Sequence, residues 1–202
     1  MKRRVRTAIL ISGRGSNMAA LIEAARDPEF PGEIALVISN RADAAGLDLA
    51  RRAGVEAIGV PSRDFGQNRE AHERAVDALL LQHRVELVCL AGYMRLLSPW
   101  FVDRWGGRLL NIHPSLLPAY KGLDTHARVL AAGEREHGCT VHLVTTAMDE
   151  GPILAQARVT VLPGDNEAAL AARVLAQEHR LYPAALAQYI RDKALPDGQP
   201  PR

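Results

Sequence analysis

Asn111 and His113 stand two residues apart in the run NIHPSLLPAYKG, residues 111–122, directly after an apolar stretch with the composition of a β-strand. In an extended chain, residues i and i+2 project to the same side, so the amide and the imidazole point together past the strand end. Pro114 and Pro118 fix φ and restrict the residues before them, which stiffens the connector. An amide donor beside an imidazole suits the stabilisation of an oxyanion that develops on a carbonyl under attack. Read without that chemistry, the connector is a stiff turn and His113 a structural histidine satisfied by backbone.

A second group lies near the N-terminus, where Gly13, Arg14, Gly15, Ser16 and Asn17 follow a short β-branched run and precede a helical pattern. The two glycines open a dinucleotide fingerprint, but Met18 occupies the place of its third glycine, and the lysine of a P-loop is missing. What remains is a glycine loop feeding a helix N-terminus, whose free N–H groups and dipole favour an anion. Ser16 and Asn17 add side-chain donors, so a monophosphate fits better than a dinucleotide. The alternative is a tight turn with Asn17 as the helix cap.

Asp149, flanked by Glu150 and Gly151, falls in the loop TTAMDEGP between two late strand-like runs, where a solvated turn acid is the ordinary reading. Thr140 and His142 share one face of the run before it. His137 and His142 lack a recurrent zinc spacing, and no metal site is expected. Arg69, Arg95 and Lys121 are cations near expected loop edges.

The elements that must position these residues follow from the hydrophobic pattern. Residues 5–11, 34–38, 57–60, 87–90 and 108–112 read as strands, the fourth nearly all apolar, as expected where both faces of a parallel sheet are covered. Helical patterns run through Met18, Leu21, Ile22 and Ala25, over 43–53 up to Gly54, and over 69–83 with Ala71, Ala75, Ala78 and Leu79 as a buried stripe. Such alternation predicts an α/β fold, an open, doubly wound, mostly parallel sheet with right-handed crossovers. Ligands then bind beyond the carboxyl ends of the strands, which gathers SGRGSN, AGYMRLL and NIHPSLLP on one edge.

The last third changes character. Residues 138–144 and 153–161 are strand-like runs joined by a loop too short for a crossover helix, which predicts an antiparallel pair. Gln156, Arg158 and Thr160 alternate with Ala155, Ala157 and Val159, so one face should be wet. A long helix is expected from about residue 166, with Asp165 as its cap and a kink or restart at Pro183. One domain is expected over residues 1–190, with residues 191–202 as a disordered tail.

The 202 residues carry a formal net charge of +2, with Lys2, Arg3, Arg4 and Arg6 crowding the start, too weak a balance to imply a nucleic-acid partner. No run approaches the length of a membrane span. The only cysteines, Cys89 and Cys139, sit inside strand-like runs and fit a reducing, cytoplasmic setting.

Taken together, ISGRGSN, SNRADAAGLDLARRAGV, VCLAGYMRLLSP, GRLLNIHPSLLPAYKG, HGCTVHLVTTAMDEGPI and AQEHRLYP are similar to the phosphoribosylglycinamide formyltransferase family, in order and with family-like spacing from about residue 5 to 189. The resemblance implies a Rossmann-like formyltransferase fold and transfer of a formyl group from 10-formyltetrahydrofolate, as co-substrate, to the amine of glycinamide ribonucleotide, without a required metal. It implies that Asn111, His113 and Asp149 form the catalytic group, that Gly15, Ser16 and Asn17 hold the ribonucleotide phosphate, and that Glu178 contacts the ribonucleotide. It places the folate against Arg69, Met94, Arg95, Leu96, Leu97, Asn111 and the loop Thr145, Thr146, Ala147, Met148 and Asp149. Small-molecule substrates, no membrane, and a monomer or homodimer complete the expectation. Arg14 stands where a neutral residue is common, and Cys139-Thr140 varies a small polar pair. Methionyl-tRNA formyltransferase should carry a further C-terminal domain and formyltetrahydrofolate hydrolase a further N-terminal one, for which 202 residues leave no room. A non-catalytic nucleotide-binding module would keep SGRGSN but has no use for Asn111, His113 and Asp149.

Overall fold

Seven runs rich in apolar and β-branched residues pair into a single sheet in the computed structural model, which describes residues 3–193. The strands are β1 (Val5–Ile11), β2 (Gly32–Ser39), β3 (Ala57–Gly59), β4 (Leu87–Leu90), β5 (Leu109–His113), β6 (Glu136–Leu143) and β7 (Ile153–Thr160), in the order β3-β2-β1-β4-β5-β6-β7. The first five are mutually parallel, and β6 and β7 run antiparallel to their neighbours. The reversal therefore begins one pairing earlier than the expected late pair. From β1 the chain steps outward to β3 and then returns to β4, so the connectors after β1 and β4 part company at this point and open a crevice.

Helices α1 (Ser16–Ala24), α2 (Ala45–Arg52), α3 (Arg69–Gln82), α4 (Pro99–Arg104), α5 (Thr125–Ala131) and α6 (Glu167–Asp192) cover the sheet. Alternate strand residues divide between its faces. Ile9, Ile11, Val37 and Cys89 pack with Met18, Leu47, Tyr182 and Leu186 of α1, α2 and α6. Ala8, Leu10, Ile38 and Val88 pack on the other side with Val76 and Leu80 of α3, Phe101 of α4 and Trp105 just beyond it. Fully burying one such aliphatic or aromatic side chain stabilises the fold by about 1.5–3 kcal/mol.

The buried face of α3 differs from the expected stripe. His72, Glu73, Val76, Asp77 and Leu80 are the buried residues, while Ala78 is exposed. The polar members have built partners: Glu73 accepts from the backbone N–H of Ser98 at 2.8 Å and from its hydroxyl, Asp77 from the Trp105 indole at 2.9 Å, and His72 Nε2 lies 2.9 Å from the Val60 carbonyl. Helix α4, absent from the expected elements, begins with Ser98 as its cap and Pro99 in its first turn.

Helix α6 is capped by Asn166, which accepts from Ala169 N at 2.9 Å. Asp165, the expected cap, instead accepts from Leu162 N at 2.8 Å and pairs with Arg173 at 2.7 Å, and Arg173 holds its carboxyl down at about 2. Pro183 lies inside the helix without ending it, and α6 reaches Asp192, beyond the domain end expected at 190. The rest of the expected tail, 194–202, lies outside the described residues. The Tyr182 hydroxyl stands 3.1 Å from the Leu90 carbonyl and 3.0 Å from that of Leu110, joining α6 to the end of β4 and the start of β5. No described helix is long and apolar enough to cross a membrane.

Candidate active site

Strand β5 ends in Asn111, Ile112 and His113, and its antiparallel register sets Asn111 opposite His142 and His113 opposite Thr140 of β6. Asn111 Nδ2 consequently lies 3.2 Å from His142 Nε2. The other ring nitrogen, Nδ1, is 2.9 Å from the Leu143 carbonyl and must carry a proton to bond it, so Nε2 accepts from the Asn111 amide. Burial pushes the His142 imidazole below the ordinary histidine range, against the pull of the Leu143 carbonyl and Asp149, which keeps it neutral. His142 thus orients Asn111 and leaves the second Nδ2 proton for another acceptor.

His113 is buried, with Nε2 donating to the Tyr120 carbonyl at 3.0 Å and Nδ1 lying 3.5 Å from Asp149 Oδ2. Asp149 Oδ1 is 3.7 Å from His142 Nε2, and Oδ2 also accepts from Gly122 N at 2.9 Å. Asp149 has a φ of 55°, and its side chain is only 11% exposed. Its surroundings, two imidazoles and a backbone donor, are those of a site, and the reading as a solvated turn acid fails.

The segment that brings Tyr120 and Gly122 to this group is an irregular strap between Pro118 and α5. Tyr120, Gly122 and Asp124 have φ of 55°, 77° and 55°. For the two residues other than glycine, this left-handed backbone costs on the order of 1 kcal/mol or more each, so the surroundings must hold it. Ser115 Oγ donates to the Ala119 carbonyl at 2.7 Å and Thr125 Oγ1 to that of Pro114 at 2.7 Å. Thr140 mounts the near end: it donates to the Ser115 carbonyl at 2.6 Å and accepts from Leu117 N at 3.1 Å and Gln156 Nε2 at 2.9 Å. Its hydroxyl is saturated by protein groups.

The glycine loop lines a cavity of about 600 Å³ at the crevice between β1 and β4, together with Asn40, Arg41, Ala91, Gly92 and Met94. Gly15 has a φ of 74°, and a Cβ there would come within 2.9 Å of the Met18 methyl and 3.2 Å of Gly46 Cα. It occupies the cap position of α1, which begins at Ser16. Asn17 is inside the helix and does not cap it; its Nδ2 donates to Glu178 Oε2 of α6 at 2.6 Å, while its buried Oδ1 has no hydrogen-bond partner among the described residues. Burial raises the Glu178 carboxyl above its ordinary value, and the Asn17 amide opposes that rise. Ser12 ties the connectors together, donating to Asn40 Oδ1 at 2.5 Å and accepting from Met94 N at 2.8 Å.

Of the remaining expected contacts, Met94 and Leu96 expose their side chains on the connector after β4, Arg95 is half-buried, and Leu97 packs on the core. Thr145, Thr146, Ala147 and Met148 form an exposed rim beside Asp149. Arg69 is exposed on the first turn of α3, and no described contact joins it to the group around His113. Among the described residues, no three of His, Cys, Asp or Glu stand where they could share a metal ion.

The formyl transferase family profile matches residues 5–186. The chain is 46% identical over 181 residues to the phosphoribosylglycinamide formyltransferase of Escherichia coli (strain K12), covering 90% of this chain and 85% of that protein. It is also 46% identical to the trifunctional purine biosynthetic protein adenosine-3 of Homo sapiens, over 92% of this chain but only 18% of that protein, and it spans 14% of the Drosophila melanogaster counterpart. The crystal structure of phosphoribosylglycinamide formyltransferase from Brucella melitensis superposes with a TM-score of 0.89 at 55% identity, covering 93% of this chain and 96% of that one.

Proposed function

The chain belongs to the formyl transferase family, and we propose on that premise that it transfers the formyl group of 10-formyltetrahydrofolate to the amine of glycinamide ribonucleotide. The products are formylglycinamide ribonucleotide and tetrahydrofolate, a step of de novo purine (IMP) biosynthesis. The observation that carries this reading is the meeting of Asn111, His113 and Asp149 at the carboxyl end of β5, where Asp149 Oδ2 stands 3.5 Å from His113 Nδ1.

The amine nitrogen attacks the formyl carbon and the carbonyl oxygen becomes an oxyanion; the carbonyl then reforms as the carbon–nitrogen bond to the folate breaks, the proton given up by the amine passing to the leaving nitrogen. Asn111 offers the oxyanion the amide proton that His142 does not take. The Tyr120 carbonyl, 3.0 Å from His113 Nε2, marks a position where that nitrogen serves an oxygen acceptor. An oxyanion accepts more strongly than a neutral carbonyl and competes for the same donor. Asp149 lies on the opposite side of the ring, its Oδ2 3.5 Å from Nδ1, where the carboxylate orients the imidazole. Each donor of this kind typically lowers the barrier by about 3 kcal/mol.

Gly15, Ser16 and Asn17 hold the phosphate at the start of α1, and Glu178 contacts the rest of the ribonucleotide. The exposed Met94, Leu96 and Met148 supply an apolar rim suited to the flat face of a reduced folate. Cys89 and Cys139, both free and buried, accord with a cytoplasmic setting.

Mixing the protein with 10-formyltetrahydrofolate and glycinamide ribonucleotide, and following both tetrahydrofolate and the formylated amine, tests the reading. Stoichiometric appearance of both supports it. Tetrahydrofolate with formate, or no consumption of the donor, overturns it.

A further inference from the structure

The strap carries two contacts of the catalytic group, the Tyr120 carbonyl on His113 and the Gly122 N–H on Asp149, yet its backbone is left-handed at three of five successive positions. Something beyond its two ends must hold its middle. Arg128, on α5, reaches back over it: Nη1 donates to the Lys121 carbonyl at 2.7 Å and lies 3.3 Å from the Leu123 carbonyl, the two residues that flank Gly122. The same guanidinium lies over the Tyr120 ring, with Cζ 5.3 Å from its centroid. The far side of that ring is fixed in turn, since the Tyr120 hydroxyl donates to Glu134 at 2.9 Å.

We propose that Arg128 is a positioning residue for formyl transfer, clamping the strap so that Gly122 N–H and the Tyr120 carbonyl hold Asp149 and His113 in register. It touches no reacting atom. The planar fork is what allows one side chain to bond carbonyls and cover an aromatic face together; a lysine ammonium is a point donor that can keep the carbonyl bonds and lose most of the stacking. Because Arg128 is exposed, its contacts are partly screened by water, and the consequence is moderate rather than total.

The inference rests on the proposed activity, and the test separates the two. Arg128→Met and Arg128→Lys are compared with the unaltered protein in formyl transfer at saturating substrates, in titration with glycinamide ribonucleotide, in thermal unfolding, and in backbone amide exchange over residues 119–124. Arg128→Met should lower kcat about three- to tenfold, the loss of about one exposed charged contact set. Ribonucleotide affinity should stay within about twofold, with exchange faster over the strap and unchanged in β1 and β4. Arg128→Lys should fall between. Unaltered kcat and strap exchange in Arg128→Met would overturn the clamp, as would a loss shared with a global fall in stability and protection. If the unaltered protein shows no formyl transfer, it is the activity that fails, and strap exchange still decides whether Arg128 holds this segment.

Discussion

Asp149 Oδ2 lies 3.5 Å from Nδ1 of His113, and the backbone that presents it is left-handed, with a φ of 55°. Asparagine adopts that conformation about as readily as aspartate, so Asp149→Asn removes charge while keeping the loop. Turnover should fall at least about a hundredfold, with ribonucleotide affinity within about threefold of the unaltered protein. Steady-state kinetics beside calorimetric titration checks this, and near-normal turnover would remove Asp149 from the catalytic group.

Asn17 gives its amide to the buried Glu178 carboxylate at 2.6 Å. Asn17→Ala leaves that carboxylate without its donor and should cost about 1–3 kcal/mol of stability. Ribonucleotide affinity should weaken in parallel, by about tenfold or more if Asn17 Oδ1 or Nδ2 also meets the ligand. Adding Glu178→Gln should recover most of the stability but not the affinity. Denaturant unfolding and ligand titration of the single and double variants distinguish the two effects, and unchanged affinity in Asn17→Ala would count against the loop as the phosphate site.

Gly151 follows Asp149 in its loop, at close quarters with β6. A Cβ there would stand 1.7 Å from the Leu143 carbonyl oxygen, a distance no rotamer relieves. Gly151→Ala should therefore move the loop, and with it Asp149, lowering kcat more than about tenfold and the melting temperature by several degrees. Kinetics and a thermal melt showing neither change would mean that the loop accommodates the methyl group without moving Asp149.

His137 is buried, and its Nε2 shares a hydrogen bond with His126 Nδ1 at 3.0 Å. Burial, reinforced by the charges of His126 and His113, pushes its value down to about 4. The folded value lies below the unfolded one near 6.5, so the unfolded chain binds the proton more readily. His137 therefore contributes stability that is fully present above about pH 6.5 and is lost as pH falls toward about 4. A denaturation series between those limits should show the decline, and His137→Gln should flatten it; an unchanged slope in the variant would assign the acid sensitivity elsewhere.

Strands β1 and β4 have the limits their apolar runs suggest, because a parallel strand covered on both faces leaves no polar interruption to misplace its ends. The face of α3 is a different matter: His72, Glu73 and Asp77 count as polar in any pattern, and only their distant partners Val60, Ser98 and Trp105 make them interior. The orientation of Asn111 and His113 could be read from their spacing alone. The environment of Asp149 could not, since its partner Gly122 is 27 positions away, on a strap that has a left-handed turn at Tyr120, a residue that does not advertise one. His142 shows the middle case, since its alternation with Thr140 along β6 was legible, whereas the neutral ring that steers Asn111 needed the register with β5.

The Tyr182 hydroxyl, between the carbonyls of Leu90 at the end of β4 and Leu110 near the start of β5, ties down α6 one turn beyond Glu178. The Glu178 contact proposed for the ribonucleotide is thereby anchored to the same two strands that carry the Met94 connector and Asn111. Ligand exchange is then expected at the rim, the glycine loop, the strap and the aspartate loop rather than at α6. Substitutions that slow product departure should therefore map to the rim rather than to α6, which release kinetics of rim and α6 variants would check.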